Sequence, residues 1–472
     1  MALYSSNDEK PLLRREKQSS EVPVHGHYDL SKNWFPKSLT FKRVGLVLLL
    51  VFLLNLIRVS LFVGVLEKWG ETHDTTPKSL EHRVKKILKT TPLIDGHNDL
   101  AILIRYISNN QIYNDNFTIP FEQGGFVSHV DLPRLREGMN GGAFWSAYAP
   151  CPSNGSNFSD ANYASSVAFT LKQIDILTRL FELYPEHFAS PPSLSTKAAI
   201  ESFKNGKLIS PIGIEGLHQI GNSIANLRHF HSLGVRYSTL SHNCHNIYVD
   251  AAITENPLKK ATPYWNGVSP AGRDLIKEMN RIGMIVDLAH VSQDTMRDVL
   301  GGGPDWTGSE APIIFSHSSA FSICPHPRNV PDDILQLVKR RNSLVMVNFS
   351  GGFISCTASD NANGMPDFYA KNNTLAQVVS HIKYIGDLIG YDHVGLGSDF
   401  DGILDAPAGL EDVSKFPDLV AELLRQGISD KHAGLIVGGN VLRVWADVEA
   451  VSEKLKEAGL QPLEDQLPPL RW

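Results

Sequence analysis

A repeated pattern constrains the fold of this chain from about Thr90 onward: a short apolar, β-branched run ends in a polar residue, and a longer segment able to form a helix follows. Such apolar runs are typical of strands buried on both faces, and their alternation with helices indicates parallel βαβ units. Eight runs predict an α/β fold, a closed (β/α)8 barrel of the TIM type with insertions at 150–206 and 243–280. The runs are TPLIDGH, GGAFWSAY, LISPIGIE, GVRYSTLSH, GMIVDLAH, PIIFSHS, SLVMVNFS and HVGLGSD.

Composition agrees with one large globular unit. The chain has 472 residues, of which 42% are hydrophobic and 20% charged, so it can bury a large core. Its formal net charge is −6, so it has no excess of basic residues with which to bind a phosphate backbone. This argues against nucleic acid as a partner. We place the barrel domain at 85–450 and a C-terminal extension at 451–472.

The N-terminal region is predicted to anchor the protein in a membrane. Residues 1–43 are polar and read as a disordered tail, whereas Val44–Leu66 is apolar and long enough to cross a bilayer despite Arg58. A cleaved signal peptide is the alternative, but 43 residues precede the apolar segment, which favours an uncleaved signal anchor. Residues 67–84 are predicted to form a stalk.

Charge and cysteine content indicate the orientation of this anchor. Lys37, Lys42 and Arg43 precede the span closely and Lys68 follows it, which favours a single-pass type II protein with its catalytic domain lumenal or extracellular. Four cysteines beyond the span are compatible with two disulfides in an oxidising compartment, or with four free thiols. They are Cys151, Cys244, Cys324 and Cys356.

Four N-glycosylation sequons agree with this location, although such triplets also arise by chance. They begin at Asn116, Asn154, Asn157 and Asn372. A fifth sequon, at Asn348, lies in an apolar strand-like run and is predicted to be unused.

Metal-ligating side chains stand where a barrel places its active site, at the carboxyl ends of the strands. His97 and Asp99 form an HxD motif, Glu215 ends the third run, and His290 and His317 end consecutive runs. For each position a structural role is the alternative: a capped turn for HxD, a salt bridge with an arginine for Glu215, and a hydrogen-bonded core residue for each histidine.

The number of these side chains favours two ions. Three imidazoles and two carboxylates suit Zn²⁺ and admit other divalent ions, but exceed what one tetrahedral ion with an open position needs. We assign His97 and Asp99 to the first ion, His290 and His317 to the second, and Glu215 as a bridge. Two such ions share a water, lower its pKa and polarise a carbonyl, so the pattern predicts a hydrolase.

Three further residues are candidates for catalysis and substrate binding. Asp399, in GLGSDFDG, is predicted as general base and then proton donor to the leaving amine, His242 as the group that holds the carbonyl oxygen, and Arg328 as anchor for a substrate carboxylate. The alternatives are a supporting role for Asp399, with Asp401 in its place, and capping by Arg328 or its pairing with Asp332 or Asp333.

Seven ordered motifs between about residues 85 and 450 resemble those of the membrane (renal-type) dipeptidases, metallopeptidase family M19 of the amidohydrolase superfamily. The motifs are DGHNDL, GIEG, SHNC, DLAHVS, FSHSSA, RNVPDD and GSDFDG.

The resemblance implies a zinc (β/α)8 dipeptidase with two ions per chain. It implies cleavage of dipeptides and, in some members, of Cys-Gly conjugates, of bonds to D-residues on the C-terminal side and of penem-type β-lactams. It assigns the same metal, substrate-binding and catalytic roles to the residues named above, and implies the disulfides Cys151–Cys244 and Cys324–Cys356. A noncovalent homodimer is also what the family suggests.

The chain departs from the family pattern in a few places. Phe353 stands where a tyrosine is frequent, Leu217 where a second glycine is common, and the C-terminal DQLPPLRW is no lipid-anchor signal. Two other classes stay open: another amidohydrolase, such as a deaminase or lactonase, which would have no use for Arg328, and a noncatalytic membrane-anchored homologue.

Overall fold

The structure, a computed structural model, describes residues 79–467 and 469 of the chain. The predicted tail and the predicted membrane span at 44–66 lie outside these residues. Within the described part, no helix combines the length and apolarity that a membrane crossing requires.

Each of the eight predicted apolar runs contains one strand of a single parallel sheet, so the predicted strands are confirmed. A parallel sheet covered by helices buries both faces of its strands, which explains why these runs carry few polar residues before their ends. The strands are Ile94–Asn98 (β1), Gly142–Ser146 (β2), Ile212–Glu215 (β3), Val235–Thr239 (β4), Ile285–Asp287 (β5), Ile314–Phe315 (β6), Leu344–Val347 (β7) and Val394–Leu396 (β8).

Strand order follows the chain, from β1 at one end of the sheet to β8 at the other. The two ends meet at their carboxyl termini, where Asn98 and Phe400 form a parallel bridge and the Asp99 amide donates to the Phe400 carbonyl at 2.8 Å. The sheet is therefore a nearly closed barrel, as the eight-unit pattern predicts.

Helices surround this barrel. The helix Pro270–Ile282 shows how the sequence fixes their bounds: Ser269 caps its first turn by accepting from the Gly272 amide, and Gly283 ends it at a φ of 82°. The α-helices of the described residues are Leu80–Thr90, Leu100–Ser108, Asp115–Gln123, Leu132–Glu137, Asp160–Leu183, Thr196–Lys204, Ile224–Ser232, Pro270–Ile282, Gln293–Val299, Asp332–Arg340, Gly351–Ile354, Leu375–Ile389, Phe416–Arg425, Asp430–Gly434 and Asn440–Glu457. The first of these overlaps the predicted stalk, and the last extends beyond the predicted domain edge at 450.

Two buried clusters hold the barrel together. The larger packs the helices against the outer faces of the strands. The smaller joins inward-facing strand residues to the last helix, with the ring centroids of Phe144 and Trp445 5.5 Å apart. Apolar side chains fill the interior of the barrel. The polar side chains at the carboxyl ends of the strands therefore line a cleft that is closed below by this packed layer.

The insertions and disulfides also lie near the carboxyl ends of the strands. The predicted insertion after β4 contains a hairpin, Ile253–Glu255 paired with Leu258–Lys260. Cys151 is bonded to Cys244, with Cα atoms 6.1 Å apart, and Cys324 to Cys356, with Cα atoms 5.0 Å apart. The pairing that the family resemblance implies is therefore confirmed.

Candidate metal centre

Five side chains from four strands converge at the mouth of the barrel. His97 lies within β1 and Asp99 directly after it, Glu215 ends β3, and His290 and His317 follow β5 and β6. All five residues are buried, with at most 4% of their surface exposed. The structure thus brings together every residue that the sequence predicts as a metal ligand.

Glu215 lies between two sets of possible ligands. Its Oε2 is 3.6 Å from His97 Nε2, and its Oε1 is 2.8 Å from His290 Nε2 and 3.6 Å from His317 Nε2. The groups His97, Asp99, Glu215 and Glu215, His290, His317 each keep their ligand atoms within 4.8 Å of one another. Glu215 belongs to both groups, and among the described residues its carboxylate pairs with histidines and not with an arginine, so the alternative of a salt bridge with an arginine is wrong.

Hydrogen bonds on the far side of each imidazole orient the rings. His97 Nδ1 lies 2.6 Å from the Tyr237 hydroxyl, His290 Nδ1 lies 2.8 Å from Asn243 Oδ1, and His317 Nδ1 lies 2.8 Å from Ser316 Oγ. Each Nδ1 is thus occupied, so each Nε2 is directed at the centre, the arrangement that supports metal-binding histidines. Sequence reasoning missed these three partners. Ser316 and Asn243 adjoin predicted site residues, but nothing local marked Tyr237.

The partners also determine which ring nitrogen carries the proton. Asn243 Nδ2 donates to Glu255 at 3.2 Å, so Asn243 Oδ1 is free to accept from His290 Nδ1–H. Ser316 Oγ donates to Asp287 at 2.6 Å and therefore accepts from His317 Nδ1–H. Burial holds the pKa of both His290 and His317 well below the usual range. Both rings are neutral, with a lone pair on Nε2.

The donor set fits a cation. The Nε2 atoms of His290 and His317 are 2.9 Å apart, and a carboxylate oxygen of Glu215 lies beside them, so three acceptors crowd one point. Asp99 Oδ1 is buried and has no hydrogen-bond partner among the described residues. A buried acceptor without a donor is costly, and a divalent cation is the group that satisfies all of these atoms.

Asp399 stands beside this centre. Its Oδ2 accepts from Asn348 Nδ2 at 2.9 Å, and a carboxylate oxygen lies within 4.8 Å of ring nitrogens of His97 and His317. Burial raises the pKa of Asp399 to about 7. Asp401, the alternative for its role, accepts from the His129 amide through Oδ1 at 2.8 Å.

His242 lies at the rim of the centre. Its Nε2 is 3.9 Å from Glu215 Oε1, and its Nδ1 is 3.0 Å from Glu255 Oε1. The ring packs edge-on against Tyr148, with centroids 5.1 Å apart. Burial raises the pKa of Glu255, but the contacts with His242 and Asn243 together outweigh this effect and bring the pKa below its ordinary value. Glu255 is a site residue that sequence reasoning missed, since it lies on a hairpin without a motif.

Arg328 is a buried cation with unused donors. Only 2% of its surface is exposed, and its Nε and Nη2 have no hydrogen-bond partner among the described residues. Its guanidinium lies over the Phe353 ring, 4.9 Å from the centroid, and burial lowers its pKa to about 10, so it stays charged at neutral pH. Orphaned donors of this kind suit an incoming carboxylate.

The alternative in which Arg328 pairs with Asp332 or Asp333 is wrong. Asp332 instead accepts from the hydroxyls of Ser322 and Tyr384, and Asp333 pairs with Arg297. Both acids have partners of their own, so neither neutralises Arg328.

Comparisons with known proteins find similar dipeptidases. The sequence model of "Membrane dipeptidase (Peptidase family M19)" matches residues 81–459. The chain is 44% identical over 386 residues to "Dipeptidase aclJ" of Aspergillus oryzae, covering 82% of this chain and 84% of that protein. It is 44% identical over 379 residues to "Dipeptidase tcpJ" of Claviceps purpurea, covering 80% and 81%.

Solved structures share the fold. A metallo peptidase of family M19, "dipeptidase AC", is 25% identical with a TM-score of 0.62, covering 76% of this chain and 99% of that one. The probable dipeptidase PvdM from Pseudomonas aeruginosa has a TM-score of 0.67 at 19% identity, covering 79% of this chain and 100% of that one.

Proposed function

Since this chain belongs to the membrane dipeptidase family, peptidase family M19, and is a metal-dependent dipeptidase, we propose that it holds two zinc ions and hydrolyses unblocked dipeptides. The observation that carries the zinc proposal is the crowding of acceptors at the centre: the Nε2 atoms of His290 and His317 lie 2.9 Å apart beside Glu215 Oε1, and Asp99 Oδ1 has no hydrogen-bond partner among the described residues. His97 and Asp99 would hold one ion, His290 and His317 the other, and Glu215 both. Imidazoles and carboxylates without thiolates suit Zn²⁺.

The residues around the centre divide the work of peptide hydrolysis. When bound, the two ions lower the pKa of a water and polarise the scissile carbonyl. Arg328 binds the C-terminal carboxylate of the substrate through its free donors, which fixes the peptide bond over the centre. His242 donates to the carbonyl oxygen as negative charge develops there.

Asp399 moves the proton. It accepts a proton from the attacking water as the new C–O bond forms, and it donates that proton to the peptide nitrogen as the C–N bond breaks. Burial raises the pKa of Asp399 to about 7, and a pKa near neutral suits a group that must both accept and release a proton. Asn348 holds the carboxylate in place through Oδ2.

The substrates we propose are Xaa-Gly dipeptides, Cys-Gly conjugates and dipeptides with a D-residue on the C-terminal side. The test is metal analysis of the purified full chain, followed by a panel of Ala-Gly, Cys-Gly, Ala-D-Ala, Ala-Gly-Gly and N-acetyl-Ala-Gly. We expect about two zinc ions per chain and cleavage of the dipeptides alone. Equal cleavage of Ala-Gly-Gly, or a metal-free active protein, would overturn the proposal.

We also propose that residues 44–66 anchor the protein as a type II membrane protein with a lumenal or extracellular catalytic domain. The two disulfides support this location, because such bonds persist in oxidising compartments. The sequon asparagines at 116, 154, 157 and 372 are all exposed, whereas Asn348 is buried. An endoglycosidase-sensitive mass and protection from protease in sealed microsomes would support it. Light scattering tests the noncovalent homodimer.

A further inference from the structure

A cavity of about 340 Å³ has Asn243 and Glu255 in its wall, the residues whose side chains contact the rings of His290 and His242. Its walls are the Cys151–Cys244 disulfide, the segment after β2, and the hairpin inserted after β4, which contributes Glu255. The volume is at the small end of the range of ligand pockets. The mechanism above gives this cavity no role.

Glu255 is the anion in the wall of this cavity. Its Oε1 accepts a hydrogen bond from Asn243 Nδ2 at 3.2 Å and lies 3.0 Å from His242 Nδ1. No hydrogen bond occupies its Oε2 among the described residues. The side chain is 30% exposed, so the carboxylate faces solvent and not the core.

Glu255 and Arg328 lie on either side of the centre. Glu255 belongs to the loop after β4 and Arg328 to the loop after β6, so the β5 loop with His290 runs between them. A single imidazole, His242, separates Glu255 from Glu215, because its two nitrogens contact one carboxylate each. The mouth thus has a buried cation on one side and a partly exposed anion on the other.

We propose that Glu255 is the binding site for the α-ammonium group of the substrate, and that the adjoining cavity takes the side chain of its first residue. This inference rests on the proposed dipeptidase function and adds to it the recognition of the free amino end. A dipeptide is a zwitterion whose opposite charges are separated by two residues, about 7 Å of extended chain. Arg328 binds its carboxylate and Glu255 its ammonium, so a third residue or a blocked amine leaves one of the two charges unpaired.

The proposal is tested with a pair of ligands that differ only in the amino group. Ala-Gly is the substrate, and propionyl-glycine, the same molecule without the amine, is tested as a competitive inhibitor. In Glu255→Gln we expect the KM of Ala-Gly to rise about tenfold or more, because a charged partner is lost at a partly exposed site. The Ki of propionyl-glycine should change less than about threefold, since it has no ammonium to lose.

Two variants serve as controls. Glu255→Asp keeps the charge and should recover part of the preference for Ala-Gly, and Lys260→Gln, on the same hairpin but outside the cavity wall, should change neither constant. If Glu255 only orients His242, kcat falls and both ligands weaken together, so their ratio is unchanged and the inference fails. If the wild-type protein cleaves no dipeptide at all, the proposed function fails instead.

Discussion

The Nε2 atoms of His290 and His317 lie 2.9 Å apart, and the Nδ1 partners of both rings leave each Nε2 with a lone pair. Two lone pairs at this distance repel each other, and the Glu215 carboxylate adds a third acceptor. A shared cation converts this repulsion into coordination. We therefore expect substitutions at the metal ligands to reduce metal content, and substitutions at other residues to change turnover or stability at an unchanged metal content.

Glu215→Gln is expected to lose metal as well as activity. The amide is neutral and a weak ligand, and Glu215 is the residue that belongs to both ligand groups. Plasma emission spectrometry of the purified variant should show zinc well below the value of the wild type. Glu310→Gln, which removes an exposed acid away from the mouth, should keep its full zinc content. Two zinc ions retained in Glu215→Gln would contradict the bridging assignment.

Asp399→Asn is expected to keep metal and lose turnover. The amide preserves the shape of the side chain but neither accepts nor releases a proton, and general acid–base groups contribute about 10²- to 10⁴-fold to rate. Steady-state kinetics on Ala-Gly together with metal analysis would show a fall in kcat at unchanged zinc. Asp401→Asn is the comparison: if that variant lost turnover while Asp399→Asn kept it, Asp401 would be the catalytic acid.

Arg328→Ala is expected to weaken recognition of the substrate carboxylate. Loss of one partner from a buried charge pair costs about 2 to 5 kcal/mol, so kcat/KM for Ala-Gly should fall by more than tenfold. The measurement compares Ala-Gly with Ala-Gly-amide, which lacks the carboxylate. The preference for the acid should disappear in the variant. A preference equal to that of the wild type would remove this role from Arg328 and reopen the other amidohydrolase activities.

His381 is expected to make the protein sensitive to acid. It is buried, its Nε2–H donates to the Ile354 carbonyl at 2.8 Å and its Nδ1 accepts from the Ala320 amide at 3.0 Å. Burial lowers its pKa from 6.5 to about 4. The unfolded chain therefore binds the proton first as pH falls, so the stabilisation is complete above pH 6.5 and is lost between pH 6.5 and about 4.

Unfolding of His381→Gln in urea at several pH values measures this contribution. Between pH 6.5 and about 4, protonation of His381 should lower the free energy of unfolding of the wild type by roughly 3 kcal/mol. The variant has no imidazole to titrate, so its free energy of unfolding should fall correspondingly less. His82→Gln, at an exposed position, controls for the substitution. Parallel pH profiles for the wild type and His381→Gln would contradict the assignment.

The Cys324–Cys356 bridge is expected to contribute strongly to stability and little to chemistry. It joins residues separated by 32 positions, and a closed loop of that length stabilises by roughly 3 to 4 kcal/mol on the chain-entropy model. The double variant Cys324→Ser, Cys356→Ser should unfold at lower urea while it keeps its zinc content. An unchanged unfolding midpoint would show that the bridge contributes nothing.

The sequence by itself determined the strands and the positions of the candidate metal ligands. Each apolar run and its terminal polar residue are neighbours in the chain, and parallel strands in a closed barrel bring all carboxyl ends to one mouth. His97, Asp99, Glu215, His290 and His317 were therefore predictable without coordinates. The disulfide pairing was implied by the family resemblance and required no knowledge of the fold.

Only the tertiary structure decided how these groups are held and charged. Tyr237 is 140 residues from His97 in the chain, and no local sequence pattern predicts that its hydroxyl orients that ring. The position of Asp399 beside His97 and His317, the freedom of Arg328 from Asp332, and the presence of Glu255 beside His242 likewise depend on contacts between distant segments. Periodicity records which residues are buried, whereas the protonation and orientation of a side chain depend on the partners that folding brings to it.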